Sequence, residues 1–240
     1  MLHDDVTRRR YLSDLYSAKN PTWDIEDSPW KAGQVLRMMH THKLSPSKIV
    51  EVGCGAGAVL AEIGKAFPQS KLYGFDVAPD AAHFWPKYAS SNIKFSVGDF
   101  FEHGEGHYDL MLVLDVVEHV ANPFEFLTRL HDRADHYIFH FPLDLSAINV
   151  ARKAPLMYVR NKVGHVYYYT KDLALALLEE CDYRVIDWNY TGAAFAAPQR
   201  TWKTKLASLP RRLAYIINKD AGVRLLGGET LMVFASARSA

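Results

Sequence analysis

Cysteine is scarce in this chain, with Cys54 and Cys181 the only two, and neither belongs to a C-x-x-C pair or a metal-ligand spacing. A disulfide framework is therefore excluded as the source of stability, and a reduced, cytoplasmic protein is expected. Charge of one sign is lacking too: 28 Lys and Arg face 27 Asp and Glu, so the whole chain offers no field for a polyanion. No uninterrupted apolar run is long enough to span a bilayer, and Met1-Leu2-His3-Asp4-Asp5 lacks a signal peptide's apolar segment. There is no internal repeat, no low-complexity tract and no dense basic-aromatic groove, so nucleic acid is a weak candidate partner. What remains is a chain with enough apolar residues for a sizeable core.

Short β-rich runs alternate with helical stretches. Lys48–Cys54, Lys71–Asp76, Ile93–Val97, Tyr108–Leu114 and Tyr137–Phe141 read as core strands. Between them, Ala58–Phe67, Pro79–Ala89 and Asn122–Ala134 read as helices, the last with Asn122 as cap and Pro123 at the first helical position. The alternation implies right-handed βαβ crossovers and a parallel sheet. Further on, a helix over Thr170–Cys181 and strands at Tyr183–Tyr190 and Glu229–Ala235 are expected, the two strands pairing as a hairpin-like edge. Residues 193–228 are too long for a plain turn and should form an excursion with its own helix. A helical prelude, residues 1–44, carries Tyr11, Tyr16, Trp23 and Trp30 ahead of the main domain, residues 45–240.

The most informative stretch is Ile49-Val50-Glu51-Val52-Gly53-Cys54-Gly55-Ala56-Gly57, an apolar strand running into a glycine-rich turn and then a helix. Glycines allow positive φ and close approach of a ligand, and N–H groups at the following helix start favour negative charge. In an open parallel sheet the ligand lies beyond the carboxyl ends of the strands. Those ends carry Glu51, Asp76, Asp99 and Asp115. An acid about 20 residues past the glycine turn suits a ribose diol, because a carboxylate can accept both hydroxyl hydrogens, and Asp76 has that spacing. Asp76 and Asp99 could also serve as helix caps, and Asp115 with Glu118 as a solvated helix start.

Five motifs in order, VEVGCGAGAVL (50–60), YGFDVAP (73–79), FSVGDFFE (95–102), YDLMLVLDVVEHVANP (108–123) and GHVYYYT (164–170), together with GGETLMVFA (227–235), resemble class I S-adenosylmethionine-dependent methyltransferases. The branch it resembles has a Glu-His signature after the fourth strand and includes ubiquinone-biosynthesis-type enzymes. The resemblance spans roughly residues 43–190 and implies a Rossmann-like α/β sheet, mostly parallel with an antiparallel last strand and helices on both faces. It implies S-adenosylmethionine as cofactor, with S-adenosylhomocysteine as product. Gly53, Gly55 and Gly57, with Cys54 between them, would pass beneath the methionine portion, and Glu51 would anchor the loop or meet the amino group through water. Asp76 would bind the ribose, Val77 would pack on adenine, Asp99 with Phe100 would meet the adenine amino edge, and Leu114 and Asp115 would border the methionine end. The Gly-x-Gly-x-Gly turn lacks the later spacing of the dinucleotide fingerprint, which disfavours a nicotinamide enzyme.

Methyl transfer asks mainly for alignment, with a base only where the acceptor must lose a proton. His119, His140 and His165 are the candidates for base or acceptor orientation, with Tyr168 and Tyr169 as orienting groups and packing as the alternative for the histidines. No metal is expected: His136 and His140 share a strand face but have no carboxylate or thiol cluster to complete a ligand set. The acceptor is expected to be a small molecule, lipid or glycan precursor, methylated at oxygen. A non-catalytic S-adenosylmethionine-binding interaction or regulatory module is the alternative. Arg200, Lys203, Lys205, Arg211, Arg212, Lys219 and Arg224 stand against the single acid Asp220 in the late excursion, where Pro210 suits a helix start. With Leu209, Leu213, Ile216 and Ile217 at helical spacing, the 200–224 segment reads either as a helix docked on its own domain or as a peripheral contact for an anionic membrane. No oligomeric state follows from the sequence.

Overall fold

The computed structural model describes residues 6–13, 15–196 and 202–238, with backbone only for residues 6–8, 194, 196 and 202–209. Met1–Asp5 and Arg200 lie outside the described residues, as do the side chains of Lys203, Lys205 and Leu209. The chain opens with α1 (Val6–Leu12), a one-turn 3-10 helix (Ile25–Asp27) and α2 (Ser28–Thr41). Then follow β1 (Lys48–Val52), α3 (Ala58–Ala66), β2 (Lys71–Asp76), a 3-10 helix (Pro79–Lys87), β3 (Ile93–Val97), α4 (Phe100–His103) and β4 (Tyr108–Leu114). A 3-10 turn (Val117–His119), α5 (Pro123–Leu130) and β5 (Ala134–Pro142) complete the parallel run. The remainder comprises α6 (Ala147–Arg152), α7 (Ala154–Lys162), α8 (Lys171–Glu180), β6 (Tyr183–Tyr190), α9 (Ala193–Ala196), α10 (Trp202–Ile217), α11 (Lys219–Leu226) and β7 (Thr230–Ala237).

The seven strands form one sheet in the order β3-β2-β1-β4-β5-β7-β6. The first five run parallel, and β7 lies antiparallel between β5 and β6. The expected hairpin-like pairing is therefore present, with β7 inserted inside the sheet and β6 at its edge. Strand order reverses between β1 and β4, so a crevice opens at their carboxyl ends.

Period-two alternation along the strands divides the core. Val50, Val52, Phe75, Met111, Val113, Tyr137 and Phe139 pack on one face with Leu127, Leu130, Ala174 and Leu178 of α5 and α8. Ile49, Leu72, Leu110, Leu112 and Ile138 pack on the other with Val35, Met38 and Met39 of α2 and Leu60 and Ile63 of α3. Each fully buried Leu, Ile or Phe stabilises the fold by about 1.5–3 kcal/mol. Alternation also puts Glu51 on the same face as Ile49, toward α2. Helix starts follow local chemistry: Asn122, Ser146, Thr170 and Asn218 each accept a backbone N–H with their side chains.

Two expected elements differ. Residues 79–87 wind as a 3-10 helix with Pro86 inside it; proline has no N–H to donate and its ring would clash in an α-helix interior. Pro210 is not a helix start, because α10 begins at Trp202 and runs through it. The docking expected for this helix is also turned around. Arg211 donates to the Leu226 carbonyl at 3.0 Å and Tyr215 to the Gly227 carbonyl at 2.9 Å, while Leu213, Ile216 and Ile217 are 62%, 82% and 77% exposed. Polar tips tie the helix to the domain and part of its apolar stripe faces solvent. Among the described residues, no helix is long and apolar enough to cross a membrane.

Candidate functional site

At the end of β1 the chain turns through three glycines with φ of 75°, 50° and 79°. A Cβ on Gly53 would stand 2.5 Å from Val116 Cγ2, and one on Gly57 would stand 2.6 Å from the Phe95 ring, so close packing joins positive φ in requiring glycine there. The turn is held from within. Gly53 and Cys54 donate their N–H groups to the Phe75 carbonyl at 2.8 and 3.0 Å, and Gly57 donates to the Cys54 carbonyl at 2.9 Å. Gly55 N–H donates to Asp76 Oδ2 at 2.7 Å, while Asp76 Oδ1 accepts from Ala78 N–H at 2.8 Å. Asp76 thus shapes the turn itself, and each of its oxygens retains acceptor capacity. Burial pushes its carboxyl upward against those two amide bonds. Burial likewise raises the Cys54 thiol well above its usual range, which leaves it unreactive.

Asp99 caps α4, accepting from Phe101 N–H at 2.9 Å, and Phe100 packs edge-on against Phe75 with ring centres 5.4 Å apart. The helix-cap alternative therefore describes a real bond for Asp99, on the rim of the same crevice.

The solvated helix start considered for Asp115 and Glu118 is not what forms. Register places Leu114 opposite His140, and Asp115, next in the chain, has φ 55°. Its Oδ1 lies 2.6 Å from His140 Nδ1 and its Oδ2 accepts from Lys31 Nζ, delivered by α2, at 2.5 Å. Burial would raise this carboxyl, yet His140 and Lys31 hold it well below the usual carboxylate range. His140 Nε2 meets Thr230 Oγ1 at 2.8 Å, so both ring nitrogens are engaged. His140 accordingly positions Asp115. Glu51, 2% exposed, has one oxygen without a hydrogen-bond partner and is pushed up to about 8, by burial first and then against the pull of Lys31.

Glu118 is fully buried on the Val117–His119 turn. Its backbone carbonyl accepts from Val166 and Tyr167 N–H at 2.9 and 3.1 Å, which brings the 164–170 loop alongside. The His119 and His165 rings stand edge to face with centres 4.9 Å apart. His119 is lowered to about 3, by burial and then by His165, and is neutral at pH 7. His165 Nδ1 lies 2.6 Å from Asp144 Oδ2, and His119 Nδ1 lies 2.8 Å from the Tyr11 hydroxyl. Neither Tyr168 nor Tyr169 lines the cavity described next; Tyr169 is buried against Phe141.

Apart from Asp144, Tyr168 and Tyr169, the candidate polar groups border one cavity of about 1130 Å³, larger than the roughly 300–1,000 Å³ that commonly holds a single drug-sized ligand. Glu51, Gly53, Cys54, Gly55, Gly57, Asp76, Val77, Asp99, Phe100, Leu114, Asp115, His119, His140 and His165 all line it, so the sequence-derived set converges on one place. Sequence reading missed Lys31, Tyr11, Asp144 and the burial of Glu118. The signal within reach was Glu118-His119 directly after a strand-end acid; the partners arrive from distant segments.

The shifted Glu51 carries a stability consequence. Its folded value, about 8, lies above the unfolded value of about 4.3, so the folded chain holds more protons between them. The stabilisation is complete below about pH 4.3 and is lost as pH rises through 8. Urea unfolding from pH 5 to 8 should show a decline of at most about 1.4 kcal/mol per unit from this group, and Glu51→Gln should flatten it. Parallel pH profiles for wild type and variant would contradict this assignment.

Residues 50–135 match a family described as a methyltransferase domain. Comparison with curated proteins returns no match. Among solved structures, magnesium protoporphyrin IX methyltransferase from Synechocystis PCC 6803 with bound SAH is similar at TM-score 0.63 and 14% identity, covering 97% of this chain and 99% of that one. The plantazolicin methyltransferase BpumL, in complex with a desmethyl analogue and SAH, is similar at 0.62 and 18%, covering 97% and 96%. The [4+2]-cyclase SpnF shares the fold at 0.55 and 11%, covering 81% and 75%, so the fold by itself does not fix the reaction. The family match adds to what the fold leaves open: residues 50–135 of this Rossmann-like sheet, which include strand ends that frame the cavity, are similar to a methyltransferase domain.

Proposed function

We propose that the chain transfers the methyl group of S-adenosylmethionine to an oxygen of a small-molecule, lipid or glycan-precursor acceptor. The supporting observation is the single cavity, in which a glycine turn with strand-end carboxylates forms one wall and a buried imidazole and carboxylate cluster forms another. Gly53, Cys54, Gly55 and Gly57 carry the methionine portion, with Glu51 toward its amino group and Leu114 and Asp115 at its end. Asp76 takes the ribose hydroxyls, Val77 packs on adenine, and Asp99 with Phe100 meets its amino edge. Because the amides of Gly53, Cys54, Gly55 and Gly57 are bonded within the protein, the cofactor is held there chiefly by close packing and by carboxylates. His119 and His165 orient the acceptor, and His140 acts through Asp115. Residues 1–44 serve as a lid, supported by Tyr11, Tyr16, Trp23 and Lys31 on the cavity wall. The free, buried Cys54 and Cys181 suit a reducing cytoplasm. Fold neighbours named for magnesium protoporphyrin IX and plantazolicin support a compact organic acceptor.

Calorimetry should show S-adenosylhomocysteine binding to wild type and at least tenfold weaker binding to Asp76→Ala; no binding, or an unchanged affinity, removes the cofactor assignment. Labelled methyl should then appear in a compound from a cell extract. Normal binding without any labelled product would favour the non-catalytic module.

A peripheral membrane contact is supported by the exposed Leu213, Ile216 and Ile217 next to Arg212. In liposome sedimentation the protein should pellet with anionic vesicles and not with neutral ones, and Ile216→Asp with Ile217→Asp should release it. Equal partition to both vesicle types would rule out this contact.

A further inference from the structure

Neither carboxylate oxygen of Glu118 has a hydrogen-bond partner, although the side chain is completely buried. An unpaired carboxylate in such a place calls for a partner that the chain itself does not supply. Its Oε1 lies 3.9 Å from His119 Nε2 and 4.0 Å from His165 Nε2, and the three atoms all fall within 4.8 Å of one another.

The outer nitrogens of both rings are already committed. Asp144 can only accept, so His165 carries its proton on Nδ1, 2.6 Å from Asp144 Oδ2, and its Nε2 presents a lone pair. The Tyr11 hydroxyl donates to the Val163 carbonyl at 3.1 Å, so at 2.8 Å it receives the Nδ1 proton of His119, whose Nε2 is likewise free to coordinate. Metal-bound histidines are characteristically held in this way, with a carboxylate or another acceptor fixing the far nitrogen.

We propose that Glu118, His119 and His165 bind a divalent first-row transition-metal ion, and that its open positions receive a hydroxyl oxygen of the methyl acceptor. Asp144 and Tyr11 are the positioning residues that fix the two imidazoles. Two imidazoles and one carboxylate favour Mn²⁺, Fe²⁺, Co²⁺ or Zn²⁺ over Ca²⁺ or Mg²⁺, and three protein ligands leave coordination sites for substrate. Ligand bonds of about 2.0–2.2 Å require the three atoms to draw together to roughly 3–3.6 Å. The site therefore closes by about an ångström on loading, through side-chain rotation. This proposal departs from the metal-free expectation from sequence, which looked to His136 and His140.

The second half of the proposal rests on the methyltransferase reading. All three residues line the cavity that the glycine turn also lines. Coordination lowers the pKa of the acceptor hydroxyl, and its proton leaves to water. As the oxygen attacks, the O–CH₃ bond forms and the S–CH₃ bond breaks. Sulfur keeps the electron pair, so the sulfonium becomes a neutral thioether and the ion undergoes no redox change.

The test uses the full chain, stripped with a chelator and titrated with Co²⁺ while visible absorption is followed. One equivalent per chain with visible d–d bands is expected, and acetohydroxamate, a bidentate oxygen ligand, should shift those bands. Glu118→Gln and His165→Ala should each weaken binding at least tenfold, and Asp144→Asn by about 10–100-fold. A folded wild-type chain that takes up no Co²⁺, or a Glu118→Gln variant that binds it unchanged, overturns the metal site; bands indifferent to acetohydroxamate overturn its open positions. S-adenosylhomocysteine binding measured on the same stripped protein keeps the two proposals separate, since it reads the donor side without the metal.

Discussion

A single half-buried carboxylate, Asp115, holds the cavity in shape. It stands in a left-handed conformation at the end of β4, one oxygen on Lys31 from α2 and the other on His140 from β5. His140 in turn meets Thr230 of β7. Through these bonds one side chain joins the N-terminal helices to three strands of the sheet. A half-buried ionic cluster of this kind adds little net stability over an apolar one, and removing a single partner leaves the remaining charge unpaired, at a cost below the about 3–5 kcal/mol of a fully buried pair. Its worth lies in specifying where α2 closes over the strand ends. The Trp30 ring, 6.2 Å from His140, is positioned by the same contact.

The strand-order reversal between β1 and β4 supplies the space that this network borders. On the β1 and β2 side, Asp76 shapes a glycine turn in which the amides of Gly53, Cys54, Gly55 and Gly57 are already bonded. On the β4 and β5 side, histidines are held by Tyr11 and Asp144 around an unsatisfied Glu118. The two sides differ in chemistry, as the proposed donor and acceptor sites require: one offers close backbone approach and hydroxyl acceptors, the other imidazole lone pairs and a buried carboxyl that burial pushes upward. The proposed methyl transfer depends chiefly on aligning the two reactants, and the cavity is large enough for more than one drug-sized ligand.

What was legible in the sequence is what depends on neighbours in the chain. The strands at 71–76, 93–97, 108–114 and 183–190 follow from period and composition, and the Asn122 and Thr170 caps follow from local hydrogen bonding. Asp76 could be found by its distance from the glycine turn. Roles that depend on distant partners were hidden. Nothing near Asp115 announces Lys31, which is 84 residues away, and nothing near His119 announces Tyr11, 108 residues away. Glu118 could be read as part of a solvated helix start because the 164–170 loop, whose amides bond its carbonyl, comes from a distant segment. The 3-10 winding of residues 79–87 follows the local rule for proline at Pro86, whereas the helix running through Pro210 breaks it.

The most direct test is a crystal structure of the chain with S-adenosylhomocysteine. The account predicts the homocysteine portion along Gly53–Gly57, the ribose at Asp76, and the sulfur facing across the cavity toward Glu118, His119 and His165. A cofactor seated elsewhere, or one whose sulfur faces away from that cluster, would contradict it.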